Sequence, residues 1–186
     1  MSTAAVLVSW VANGRQFSRS VPLRFPADMP AEEVEPRCAI IREAYSWTAT
    51  RWHHGAAVRG AGIDCAQFLR VAYQAAGLLP AEWRTDDYPM DWAEHRSGER
   101  FVEHVLRWGR PIAEADALPG DCVLWRWGRT LSHGAIVVGW PTIIHAMRGQ
   151  GVTEDDGIAN RKLAQSGANE RRREFFTLFP ERSAAS

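Results

Sequence analysis

Two runs, residues 4–12 and 15–25, flank Asn13-Gly14. Both central residues of a type I′ turn need positive φ, and Asn-Gly supplies them at least cost, so the pattern predicts a β-hairpin. Pro22, Pro26 and Pro30 then punctuate a linker. From Val34 to Thr50, Cys38, Ile41, Ala44 and Tyr45 recur at helical spacing and predict an amphipathic helix. Residues 51–63 carry three glycines and two adjacent histidines and read as a loop. A second helix runs from Asp64 to near Gly77, a left-handed stop with Pro80 just beyond. Residues 78–90 read as irregular. Residues 91–108 predict a third helix with Trp92, Phe101, Val105 and Leu106 on its buried side.

The pattern changes after Pro111. Residues 121–125, 134–138, 142–145 and 175–179 are short apolar or β-branched runs separated by Gly, Pro and Ser, as strands of a meander are. Residues 154–173 are polar and charged and read as a mobile loop. Helices first and strands second predict an α+β protein with helices packed on one antiparallel sheet. The N-terminal hairpin and linker occupy residues 1–30, and the main domain residues 31–186.

Composition narrows the function. Lys plus Arg equals Asp plus Glu, 22 each, which gives no support for nucleic-acid binding. Cys38, Cys65 and Cys122 are odd in number and lack metal-type spacing, so a disulfide framework is not expected and synthesis in a reducing compartment is. No Lys or Arg precedes the short apolar stretch at 4–12, which reads as a strand rather than a signal peptide or membrane span.

Cys65 is the residue that points to chemistry. It opens the second helix, where unpaired backbone N–H groups and the helix dipole favour thiolate over thiol. Asp64 is placed to cap that helix. The plain alternative is a buried, inert cysteine. His133 begins the apolar strand Gly134–Val138 and can act as a general base; a core-edge histidine bonded to a carbonyl is the plain alternative. His145 ends the next strand, twelve residues on. If a turn at Trp140-Pro141 joins the two strands, both imidazoles share one sheet face, and His145 can orient His133; otherwise it is a strand-end histidine without a role. His53, His54, Cys65, His133 and His145 match no short-range zinc motif, and neither metal nor cofactor is expected. Trp125 and Trp127 alternate along a strand, which suits core packing better than stacking on sugars. Arg171-Arg172-Arg173, flanked by glutamates, reads as a solvated face.

Four motifs in order, Gly62-Ile63-Asp64-Cys65-Ala66, Leu118-Pro119-Gly120-Asp121, Ser132-His133-Gly134-Ala135 through Gly139, and Ile144-His145-Ala146, resemble the NlpC-type cell-wall endopeptidases across roughly residues 37–153. The resemblance implies a papain-like cysteine peptidase that cuts peptidoglycan stem peptides, usually between D-glutamate and the diamino acid. It implies Cys65 as nucleophile, His133 as base and His145 as the third polar residue, with Trp52, His53 and Asp64 as candidates for substrate contact. The loop Trp52-His53-His54-Gly55-Ala56 is similar to the variant carried by phages, prophages and gene-transfer particles. That variant implies tail or particle proteins as partners, and action in the periplasm or cell wall after delivery by a particle or lysis. Three departures stand out. Arg51-Trp52 replace the family's Pro-Tyr, so its phenol is missing there; Ala66-Gln67 replace the usual Ser-Gly; and the hairpin lies outside the family core. Two other functions fit the same residues: an assembly component with a silent peptidase fold, and a related amidase or acyltransferase.

Overall fold

The computed structural model describes residues 1–89, 98–164 and 171–181. Strands β1 (Ser2–Ala12) and β2 (Arg15–Phe25) form an antiparallel hairpin. Its turn residues Asn13 and Gly14 have φ of 52° and 72°, the mirror-image turn that the Asn-Gly pair foretold. Val6, Val8, Val21, Leu23 and Phe25 lie on the buried face, and each contributes on the order of 1.5–3 kcal/mol by leaving water. That face joins the main core, packing on helix α1 (Ala31–Ser46). Arg19 of β2 also pairs with Glu154, which accepts the Tyr45 hydroxyl as well.

Helix α1 begins and ends about three to four residues earlier than its periodicity predicted. Its start follows Pro30, and Glu32 and Glu33 complement the dipole there. Its end comes at Trp47, before Ala49 takes a φ of 66°. Arg37 on α1 is buried between Glu33 and Asp121, at 2.9 and 3.0 Å, and ties the helix to the turn before the sheet. Short strands β3 (Ala57–Val58) and β4 (Gly62–Ile63) lie within the stretch read as loop. Helix α2 (Cys65–Ala75) ends at Gly77, whose φ of 72° lets the N–H of Leu78 reach the carbonyl of Tyr73. Helix α3 (Arg100–Leu106) begins after Gly98 and Glu99, inside the helix predicted over 91–108, of which residues 91–97 lie outside the described residues. Phe101 is buried and Val105 half-buried, but Leu106 is exposed; Trp92 falls outside the described residues.

Strands β5 (Arg110–Ile112), β6 (Cys122–Trp127), β7 (Thr130–Gly139), β8 (Thr142–Met147), β9 (Gly151–Asp156) and β10 (Arg173–Thr177) form one antiparallel sheet in the order β5-β10-β6-β7-β8-β9. Residues of one parity, including Leu124, Ile136 and Ile144, join the core shared with α1 and α2. Those of the other parity, including Trp125, Val137 and Ile143, build a second cluster with Leu163 of helix α4 (Arg161–Ala164). The expected loop at 154–173 is therefore wrong at both ends, because β9 runs to Asp156 and β10 starts at Arg173. Trp125 is fully buried in this cluster, which removes it as a surface for sugars. No helix among the described residues is long and apolar enough to cross a membrane.

Candidate active site

Asp64 caps α2, its Oδ1 accepting from Gln67 N at 2.9 Å, while its carbonyl accepts from Phe68 N at 2.9 Å. Cys65 follows at the first turn, half-buried beside the start of β7. Its thiol donates to the carbonyl of Ser132 at 3.7 Å, and the N–H groups of Gly134, Cys65 and Ala66 point to the same sulfur. The sulfur thus meets the backbone on both sides of His133. Gly134 makes this approach possible. A Cβ there would stand 2.8 Å from Leu69 Cδ1 of α2 and 3.0 Å from Phe101 Cζ of α3, closer than packed carbons tolerate. The glycine after the histidine is what lets α2 sit down on the strand.

His133 and His145 share the sheet face of the second cluster. Strand register pairs His145 with Ala135, so the histidines are diagonal neighbours. His133 Nε2 and His145 Nδ1 are 3.0 Å apart, and the rings meet edge to face at 5.1 Å. The bond leaves His133 Nδ1 as the ring nitrogen His145 does not engage. Trp127 and Trp125 flank the His133 ring at 5.6 and 6.1 Å. Behind the pair, His145 Nε2 lies 3.5 Å from Asp155 Oδ2 of β9. The stretch of three arginines does more than face solvent. Arg171 lies over the Trp127 ring and Arg173 binds Glu114 at 3.0 Å.

Electrostatics overturn one expectation. Burial, reinforced by the Asp64 carboxylate, pushes the Cys65 thiol up to about 12, against the pull of the three N–H groups. The helix start alone argued for a thiolate; desolvation outweighs it. Burial, then the charges of His145 and Arg171, hold His133 well below the ordinary histidine range. Burial lowers His145 too, with Asp155 pulling the other way. At neutral pH the thiol and both imidazoles are therefore neutral, and among the described residues no hydrogen bond joins the Cys65 sulfur to His133.

The loop residues fall as follows. His53 is exposed, and Trp52 is half-buried, stacked on His54 with ring centroids 6.3 Å apart. Asp64 is 2% exposed, and its Oδ2 accepts from Gly55 N and from the Tyr88 hydroxyl, both at 2.7 Å. A phenol thus reaches this site from Tyr88, a residue in a segment read only as irregular. His54 Nε2 in turn bonds the Tyr88 carbonyl at 2.8 Å. A mainly apolar cavity of about 90 Å³ opens beside Cys65, walled by Leu69, Tyr73, Trp83, Phe101 and Trp108. Among the described residues no cluster of His, Cys, Asp and Glu could hold a metal ion.

The NlpC/P60 family model matches residues 42–171. Among solved structures, the peptidoglycan hydrolase RipB of Mycobacterium tuberculosis is similar at 18% identity and a TM-score of 0.51, over 86% of this chain and 74% of that one. NlpC1 of Trichomonas vaginalis shows 18% identity and a TM-score of 0.50, over 74% of this chain and 43% of its own. A hypothetical invasion protein of M. tuberculosis shows 14% identity and a TM-score of 0.50, over 93% and 71%. At these identities the likeness is one of fold. No curated protein matches the chain.

Proposed function

The chain belongs to the NlpC/P60 family, whose papain-like α+β fold it has, and from there we propose that it is a cysteine peptidase hydrolysing amide bonds of peptidoglycan stem peptides. The observation that supports this reading is the His133–His145 bond at 3.0 Å, which leaves His133 Nδ1 unengaged on the strand whose Ser132 carbonyl meets the Cys65 thiol. In the first step the thiol turns from the Ser132 carbonyl to His133 Nδ1. The proton passes to that nitrogen as sulfur attacks the scissile carbonyl carbon. The oxyanion is met by N–H groups at the start of α2, where those of Cys65 and Ala66 are not used by Asp64. Collapse breaks the C–N bond, and the leaving amine takes the proton from His133. Water, deprotonated by His133, then hydrolyses the thioester and restores the thiol.

The scissile bond on this reading joins D-glutamate to the diamino acid, as in the enzymes the motifs resemble. Delivery to the wall is by a phage tail, a gene-transfer particle or lysis; the feature favouring it is the Trp52–Ala56 loop. The test is cleavage of purified sacculi, with products identified by mass spectrometry. The intact protein releases split stem peptides, and Cys65→Ala releases none while keeping its thermal transition. Equal release by Cys65→Ala would end the reading, and sacculus binding without release by the intact protein would leave an assembly role in its place.

A further inference from the structure

The chain of polar contacts that starts at His133 does not stop at His145. His145 is fully buried, and its Nε2 has no hydrogen bond of good geometry among the described residues. The Asp155 carboxylate stands 3.5 Å from that nitrogen. It is held in place: Asp155 Oδ1 accepts from Asp156 N at 2.8 Å, and Oδ2 accepts from Asn160 Nδ2. An ionised carboxylate only accepts hydrogen bonds. A bare Nε2 would set its lone pair against those of the oxygen, whereas a protonated Nε2 meets an acceptor.

That choice propagates. The 3.0 Å contact between His133 Nε2 and His145 Nδ1 holds a single hydrogen while both rings are neutral. With its proton on Nε2, His145 has a bare Nδ1, so the shared hydrogen belongs to His133 Nε2. His133 Nδ1 then has no proton and can accept one from the thiol. With the His145 proton on Nδ1, everything inverts, and His133 Nδ1 carries an N–H and cannot act as a base. We propose that Asp155 is a positioning residue that keeps the His145 proton on Nε2 and so selects the base-competent tautomer of His133. The proposal rests on the hydrolase reading for its kinetic consequence only, because the tautomer is a property of the resting protein.

The experiment has two arms. In the intact protein, ring-nitrogen NMR, assigned through single His→Gln variants, reads the tautomer directly. The Nε2–H form is expected at both His145 and His133, and the Nδ1–H form at either would overturn the proposal. In Asp155→Ala the His145 signal shifts toward the Nδ1–H form, and kcat on stem peptides falls about 10- to 100-fold with KM nearly unchanged, the scale seen for outer partners of functional imidazoles. The same substitution made on top of His145→Ala costs little more, since Asp155 acts through His145. Full additivity of the two, or an unchanged tautomer in Asp155→Ala, would show that Asp155 serves only the fold. An Nε2–H tautomer in a protein that leaves sacculi uncut would retire the hydrolase reading and leave the positioning intact.

Discussion

A thiol that burial keeps neutral makes a quantitative prediction about Cys65. Its pKa stands at about 12 where an ordinary value is 9.0. At any pH below both, the thiolate is about a thousandfold scarcer than for the same thiol in the unfolded chain. The scarcer thiolate is also the stronger nucleophile. A Brønsted slope of 0.4–0.5 returns a factor of about 15 to 30 in attack on a disulfide. The net expectation is labelling roughly 30- to 60-fold slower than in urea, still rising tenfold per pH unit up to at least pH 10. Labelling with a small aromatic disulfide across pH 4 to 10.5, read peptide by peptide by mass spectrometry, measures this while separating Cys65 from buried Cys38 and Cys122. The same electrostatics keep His133 unprotonated into mildly acid solution, so the acid limb of stem-peptide cleavage lies below pH 6.5. A labelling plateau between pH 4 and 8 would mean a preformed thiolate–imidazolium pair, and the argument that burial outweighs the helix start would be wrong.

Two further outcomes test the framework around the site. Gly134→Ala places a methyl 2.8 Å from Leu69 Cδ1 and is expected to lower stability by about 1–3 kcal/mol in urea titration, with cleavage falling because α2 is pushed off β7; an unchanged midpoint would refute the close-approach account. Both His133 and His145 have folded-state pKa values below their unfolded value of 6.5, so their contribution is complete above pH 6.5 and is lost as pH falls toward the folded values. Stability should drop by up to about 1.4 kcal/mol per pH unit for each histidine in that window, and His133→Gln should flatten the slope.

Much of this was legible in the chain because it depends on local pattern. The Asn13-Gly14 turn, the Gly77 stop and the β-branched runs of β6, β7 and β8 each declare themselves within a few residues. The facing of His133 and His145 followed from one assumption, that Trp140-Pro141 joins antiparallel neighbours, and the register bears it out. Strands β5 and β9 were missed because they are the edges of the sheet. An edge strand needs few apolar residues and tolerates Pro111 or the run Glu154-Asp155-Asp156, which mimic a loop. Tyr88 and Asp155 were invisible for another reason. Each enters the site through space, 24 residues from Asp64 and ten from His145, and no spacing rule encodes such a contact.

The misjudged thiol shows where local reasoning stops. The helix start does act on Cys65, through the N–H groups of Cys65 and Ala66, but its effect is set against burial that only the assembled fold creates. Leu69 and Phe101 pack over Gly134, and Asp64, chosen as a cap, brings a negative charge beside the sulfur. The same Asp64 holds Tyr88 and the backbone of Gly55, so it cannot be removed without loosening the wall of the site. A nucleophile so placed stays protonated until a base takes its proton during attack. This puts the burden on which nitrogen of His133 is bare, and that question is decided not at the cysteine but two residues behind it, at the far side of His145.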